Sequence, residues 1–71
     1  MKRYKITAKD ITDQDMVWNL EGQHFGYNLD GDYSFQLHPA YPRDLDNELF
    51  RAKHTANKRV NIETITLIEV S

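Results

Sequence analysis

Cysteine is missing from all 71 residues of this chain. It therefore has no disulfide, no thiolate metal ligand and no cysteine nucleophile, and its stability has to come from the core itself or from a partner subunit. The absence fits a reducing compartment, and a cytoplasmic location is the expectation. Long apolar runs are missing as well. Met1-Lys2-Arg3-Tyr4-Lys5 has the positive charge of a secretory leader, but Lys9 and Asp10 arrive before a run of about seven apolar residues can form. Neither a signal peptide nor a membrane-spanning helix is expected. Glycine is scarce, and Gly22, Gly26 and Gly31 sit in no GxGxxG or GxxxxGK context, which excludes a phosphate-cradling loop of those types.

Bases are almost absent from the middle of the chain. From Asp10 to Glu48, nine acids (Asp10, Asp13, Asp15, Glu21, Asp30, Asp32, Asp44, Asp46 and Glu48) face only Arg43. Lys2, Arg3, Lys5 and Lys9 precede this block; Arg51, Lys53, Lys58 and Arg59 follow it, and Glu63 and Glu69 close the chain. A net charge of -2 thus conceals blocks of +4, -8, +4 and -2, a segregation that points to charged partners.

What remains is a small globular composition, 39% hydrophobic and 11% aromatic, too rich in aromatic and β-branched residues for a disordered chain. One domain of this size buries only about 60% of the surface its unfolded chain exposes. Arg3 to Ile11 alternates, with Tyr4, Ile6 and Ala8 on one side and Arg3, Lys5, Thr7 and Lys9 on the other, the pattern of a half-buried strand. Met16 to Leu20 is a second short strand, after a turn over Thr12 to Asp15. His24 to Leu29 and Asp32 to Leu37, joined by Asp30-Gly31, form the pattern of a hairpin, since Asp-Gly supplies the positive φ angles of tight turns. Pro39 and Pro42 make His38 to Arg43 a loop.

Residues 44–57 fit two periods. A helix places Leu45, Leu49, Ala52 and Ala56 on one face; a strand places Phe50, Ala52 and His54 inward, with Arg51 and Lys53 outward. The favoured reading is a helical turn over Asp44 to Leu49, then a strand and a turn at Thr55 to Lys58. Arg59 to Val70 is a long strand, bent where alternation breaks between Ile62 and Ile65. The expected fold is mainly β: a small, strongly curved antiparallel sheet or partly open barrel with at most one short helix. The alternative is an α+β sheet with one helix at about 44–56. The expected core is Tyr4, Ile6, Val17, Trp18, Leu20, Phe25, Phe35, Leu37, Leu49, Phe50, Val60, Ile62, Ile65 and Leu67.

Catalytic patterns are thin. Ser34 lies between Tyr33 and Phe35 with no glycine-flanked elbow, and His24, His38 and His54 are too widely spaced for a helical or hairpin metal motif. Asn28, Asp30 and Asp32 match the first calcium ligands of an EF-hand, but Gly31 falls at the fourth position and Pro39 at the twelfth, where that loop needs Gly sixth and Glu twelfth. No cofactor, no metal and no enzymatic activity are expected.

Two charged constellations are left. Acids in the loops, Asp13, Asp15, Asp44, Asp46 and Glu48, with Tyr41 as an aromatic anchor, suit docking on a basic protein partner. The alternative is a nucleic-acid interface on a basic strand face made of Arg3, Lys5, Lys9, Arg51, Lys53, Lys58 and Arg59. Edge protection and solubility explain the same residues without a partner. The last strand leaves an edge through which a homodimer is also compatible with the sequence.

Overall fold

A computed structural model describes residues 2–36 and 44–70, with only the backbone of Asp44. The predictions for Leu37, for the His38 to Arg43 loop and for Tyr41 lie outside the described residues. Five strands and one helix follow in the order β1 (Arg3–Asp10), β2 (Asp15–Asn19), β3 (His24–Gly26), β4 (Phe35–Gln36), α1 (Asp44–Thr55) and β5 (Val60–Glu69). The strands form one strongly curled antiparallel half-barrel sheet, so the mainly β expectation holds.

β1 is the axis of the sheet because its alternation buries Ile6, Ala8 and Asp10 on one side while Lys5, Thr7 and Lys9 stay half-exposed on the other. One edge pairs along nearly its whole length with β5, from Tyr4↔Glu69 to Asp10↔Val60. The opposite edge is divided: β2 takes Thr7 to Lys9, and β4 takes Arg3 and Tyr4. β3 extends the sheet beyond β2 with Trp18 opposite Phe25.

β5 bends where its alternation breaks. Thr7 pairs with Thr66 and Lys9 with Asn61, so Ile62 to Ile65 stand opposite the single residue Ala8. Thr64 replaces the missing ladder partner: its Oγ1 accepts the Lys9 N–H at 2.8 Å and donates to the Asn61 carbonyl at 2.6 Å. Such bulges sharpen local twist, which is how so few strands curl into a half-barrel. Ile62 is thereby turned out, 51% exposed, although the sequence placed it in the core.

The helix corrects the favoured sequence reading. The segment directly after Leu49 is not a strand; α1 continues to Thr55, as in the alternative, and Thr55 to Lys58 joins helix to strand instead of turning a hairpin. Leu45, Leu49, Ala52 and Ala56 pack on the cluster of Ile6, Ala8, Met16, Trp18, Phe25 and Ile65. Ala52 is fully buried, a side chain small enough to let the helix backbone approach the sheet. Phe50 is consequently 63% exposed and lies against the His54 ring, 4.1 Å between centroids, rather than in the core. Leu20 is also exposed. Trp18 fills the centre of the fold and tilts on Phe25 at 5.2 Å.

The expected Asp30-Gly31 hairpin does not form. β3 and β4 do not pair; β3 ends at Gly26, and the chain crosses to the other end of β1 before β4 begins. Gly31 has no positive φ, while Gln23 (53°) and Asp13 (69°) do, so the tight turns are those between β2 and β3 and between β1 and β2. No helix among the described residues is long and apolar enough to cross a membrane.

Candidate functional site

The divided edge of β1 leaves a concave surface among the described residues. Past Val17, β2 no longer pairs with β1, and residues 32–35 enter the gap on their way into β4. Between the β2–β3 turn and this segment lies a cleft of about 230 Å³ lined by Asn19, Leu20, Glu21, Asp32, Tyr33, Ser34 and Phe35.

Both walls are held by side chains that bond to backbone. On one, Asn19 Oδ1 accepts the N–H groups of Glu21 (3.0 Å) and Gly22 (3.2 Å), fixing the turn that carries Leu20 and Glu21. On the other, Asp32 Oδ1 accepts the Ser34 hydroxyl at 2.6 Å and the Ser34 N–H at 3.1 Å. Arg3 locks this wall to β1, its Nε donating to Ser34 Oγ and its Nη2 to the Ser34 carbonyl, each at 2.9 Å. The Ser34 hydrogen bonds, with the nearby positive charges of Arg3 and Lys5, hold the Asp32 carboxyl below the usual carboxylate range. Asp32 is therefore a fixed anion at the mouth of a cleft whose other walls are Leu20, Tyr33 and Phe35.

A second polar cluster serves the fold. Asp10 is only 2% exposed, and its Oδ1 accepts Thr12 Oγ1 (2.7 Å), Thr12 N–H (2.8 Å) and Gln14 N–H (2.9 Å), while Oδ2 accepts the Tyr27 hydroxyl at 2.7 Å. Arg59 Nε donates to the same Tyr27 oxygen at 3.3 Å. The Thr12 hydroxyl first, then Tyr27, depress the Asp10 carboxyl far below its ordinary value, against the opposing effect of desolvation. Asp10 ties the β1–β2 turn to the segment after β3 and to the start of β5. The sequence carried a signal for this: Asp10 continues the inward phase of Tyr4, Ile6 and Ala8, which a freely solvated turn acid has no reason to share.

Three ion pairs among the described residues join one charge block to another. Lys9 pairs with Asp15 at 3.0 Å, Arg51 with Glu48 at 3.5 Å and Lys2 with Glu69 at 3.7 Å. Of the acids expected to form a protein-binding rim, Asp13 and Asp15 lie in and beside the β1–β2 turn, where the Ile11 N–H meets the Arg59 carbonyl beyond the C-terminus of α1. Asp44, Asp46 and Glu48 lie in the N-terminal half of the same helix, which is about 18 Å long. The two groups therefore lie toward opposite ends of α1. Asp46 is exposed, while Glu48 turns inward with its side chain 14% exposed and Oε2 buried without a hydrogen bond among the described residues.

The basic residues divide too. Arg3, Lys5 and Lys9 share the face of β1 away from Ile6 and Ala8, and Lys58 and Arg59 precede β5. Arg51 and Lys53, expected side by side on a strand, are about 200° apart around α1. Of the histidines, His24 lies on β3 and His54 in the last turn of α1. Among the described residues no three His, Cys, Asp or Glu side chains gather as a metal-ligand set.

Sequence reasoning did not bring Leu20, Glu21, Asp32 and Tyr33 together as one site, because their meeting depends on β4 pairing with β1 instead of β3. No protein-family model matches the chain, and comparisons with curated proteins and with solved structures find no match.

Proposed function

We propose that this is a non-enzymatic binding protein that docks on a basic protein partner through its acidic loops, with the cleft between residues 19–21 and 32–35 receiving a lysine or arginine side chain. The observation that carries this reading is the pairing of a fixed Asp32 carboxylate and Glu21 with the apolar surfaces of Leu20, Tyr33 and Phe35 around one opening. Long cationic side chains bury an aliphatic stem and keep a charged head polar, and this cleft offers both surfaces. Its volume of about 230 Å³ is below the roughly 300–1,000 Å³ of small-molecule and cofactor pockets, which favours a side chain as the occupant. Asp46, exposed on the first turn of α1, adds to the negative field that steers a basic surface.

The test is a titration of isotope-labelled protein with short peptides containing a central arginine or lysine, followed by amide chemical shifts. Shifts centred on 19–21 and 32–35, weakened by salt and lost in Asp32→Asn, are the expected result. Equal binding of a peptide with a central glutamate would refute the reading. Salt-sensitive binding of single-stranded nucleic acid, lost in Lys5→Glu but kept in Asp32→Asn, would favour the basic strand face instead.

A further inference from the structure

β5 is the longest strand, and among the described residues its second edge has no partner. The polarity of that edge follows from the register. Val70 N–H donates to the Arg3 carbonyl at 2.9 Å, and the pairs Lys5↔Ile68 and Thr7↔Thr66 continue the same phase. Antiparallel strands alternate the direction of their backbone groups, so Thr66, Ile68 and Val70 bond to β1, and the N–H and C=O groups of Ile65, Leu67 and Glu69 face outward. Ile68 and Val70 are exposed beside them. The segment Thr64 to Ile68 carries no charge, and Glu63 and Glu69 flank it.

Natural edges of this kind are guarded by bulges or by charge. The bulge at Ile62 to Ile65 guards only the first half of β5 and leaves Thr66 to Glu69 regular. The two flanking acids select by sign: Glu63 has no ion-pair partner among the described residues, and Glu69 exchanges its exposed pair with Lys2 at 3.7 Å. A second copy pairing antiparallel through this edge brings Glu63 and Glu69 again and no base from β5. Registers that set Arg59 against Glu69 of the second copy centre on Thr64, inside the bulge, where the ladder is interrupted. We infer that the open edge of β5 accepts an extended segment of another protein as an added strand, and that the segment fitting it has an uncharged β-branched stretch flanked by lysine or arginine. Main-chain hydrogen bonds to Ile65, Leu67 and Glu69 supply affinity, and Glu63, at the bulge, and Glu69, at the far end of the regular segment, supply the choice of sign. This edge lies across β1 from the cleft and does not depend on it.

A labelled heptapeptide with terminal lysines around alternating valine and threonine tests the inference by fluorescence anisotropy with the intact chain. The expected result is saturable binding that is abolished when alternate peptide amides are N-methylated, which removes the ladder donors without any change to the protein. Glu63→Lys combined with Glu69→Lys, both at exposed positions, should weaken binding by about tenfold, with circular dichroism confirming the fold, whereas Asp32→Asn should leave it unchanged. Equal binding of the N-methylated peptide, or of one flanked by glutamates, would overturn the inference. So would a dimer in light scattering that Leu67→Lys dissociates, since that assigns the edge to a second copy.

Discussion

Replacing Thr64 with valine removes one hydroxyl and almost no volume, which isolates the part that the bulge plays in stability. Thr64 Oγ1 accepts the β1 amide at 2.8 Å and donates to the Asn61 carbonyl at 2.6 Å, and a valine does neither. A half-buried amide that loses its acceptor without gaining water costs about 1–3 kcal/mol. Domains of 60–100 residues lose roughly 4–8 °C in melting temperature per kcal/mol, so a central loss of about 1.5 kcal/mol lowers Tm by about 6–12 °C. The total stability of a chain of 71 residues is only about 3.5–10 kcal/mol, so the change is readily measured. Thermal unfolding followed by circular dichroism measures it, and hydrogen exchange at the Lys9 amide locates it. Thr64→Ser keeps the hydroxyl and should remain within about 1 kcal/mol of the parent. A valine variant as stable as the parent, or a serine variant as damaged as the valine one, would refute the account of the bulge.

Three other outcomes are expected. Asp10 is ionised more readily in the folded than in the unfolded chain, so the stability it contributes is fully present above about pH 4 and is lost as pH falls from there toward its depressed folded value; melts between pH 2 and 7 should show a slope that Asp10→Asn reduces, with the part due to Asp32 remaining. Glu48→Leu removes a buried oxygen that has no hydrogen bond among the described residues and adds apolar contact under α1, and should raise Tm by about 4–8 °C for a gain of about 1 kcal/mol, at the expense of the 3.5 Å pair with Arg51. Trp18→Ala empties the centre of the core at a cost of about 3–5 kcal/mol, comparable with the whole stability, and should collapse the amide dispersion of the NMR spectrum.

Legibility followed the range of the interactions. The alternation of Arg3 to Asp10 is a local property of one strand, and it was readable down to the faces of Ile6 and Lys5. The break between Ile62 and Ile65 was readable for the same reason, although not that Thr64 would supply the substitute hydrogen bonds. Residues 44–57 were ambiguous because Leu45, Leu49 and Ala52 suit a helix while Phe50, Ala52 and His54 suit a strand. The choice fell to packing: the hollow around Trp18 receives Ala52 and leaves Phe50 outside. Asp30-Gly31 misled because turn chemistry states only that a chain can reverse. Tyr27 is held by Asp10 and Ser34 by Arg3, and these contacts carry the chain from β3 to the far end of β1.

The absence of cysteine and long apolar runs, the curved β architecture and the sorting of charge were properties of the sequence by itself, because composition and short-range alternation do not depend on which segments meet. Tertiary structure alone decided that Lys9 meets Asp15, that Glu21 and Asp32 flank one cleft, and that among the described residues β5 keeps an open edge. Each is a pairing between segments distant along the chain or across a turn. A charge block in sequence becomes a charged surface only where the fold leaves it unpaired, and this fold joins members of different blocks at Lys2–Glu69, Lys9–Asp15 and Arg51–Glu48.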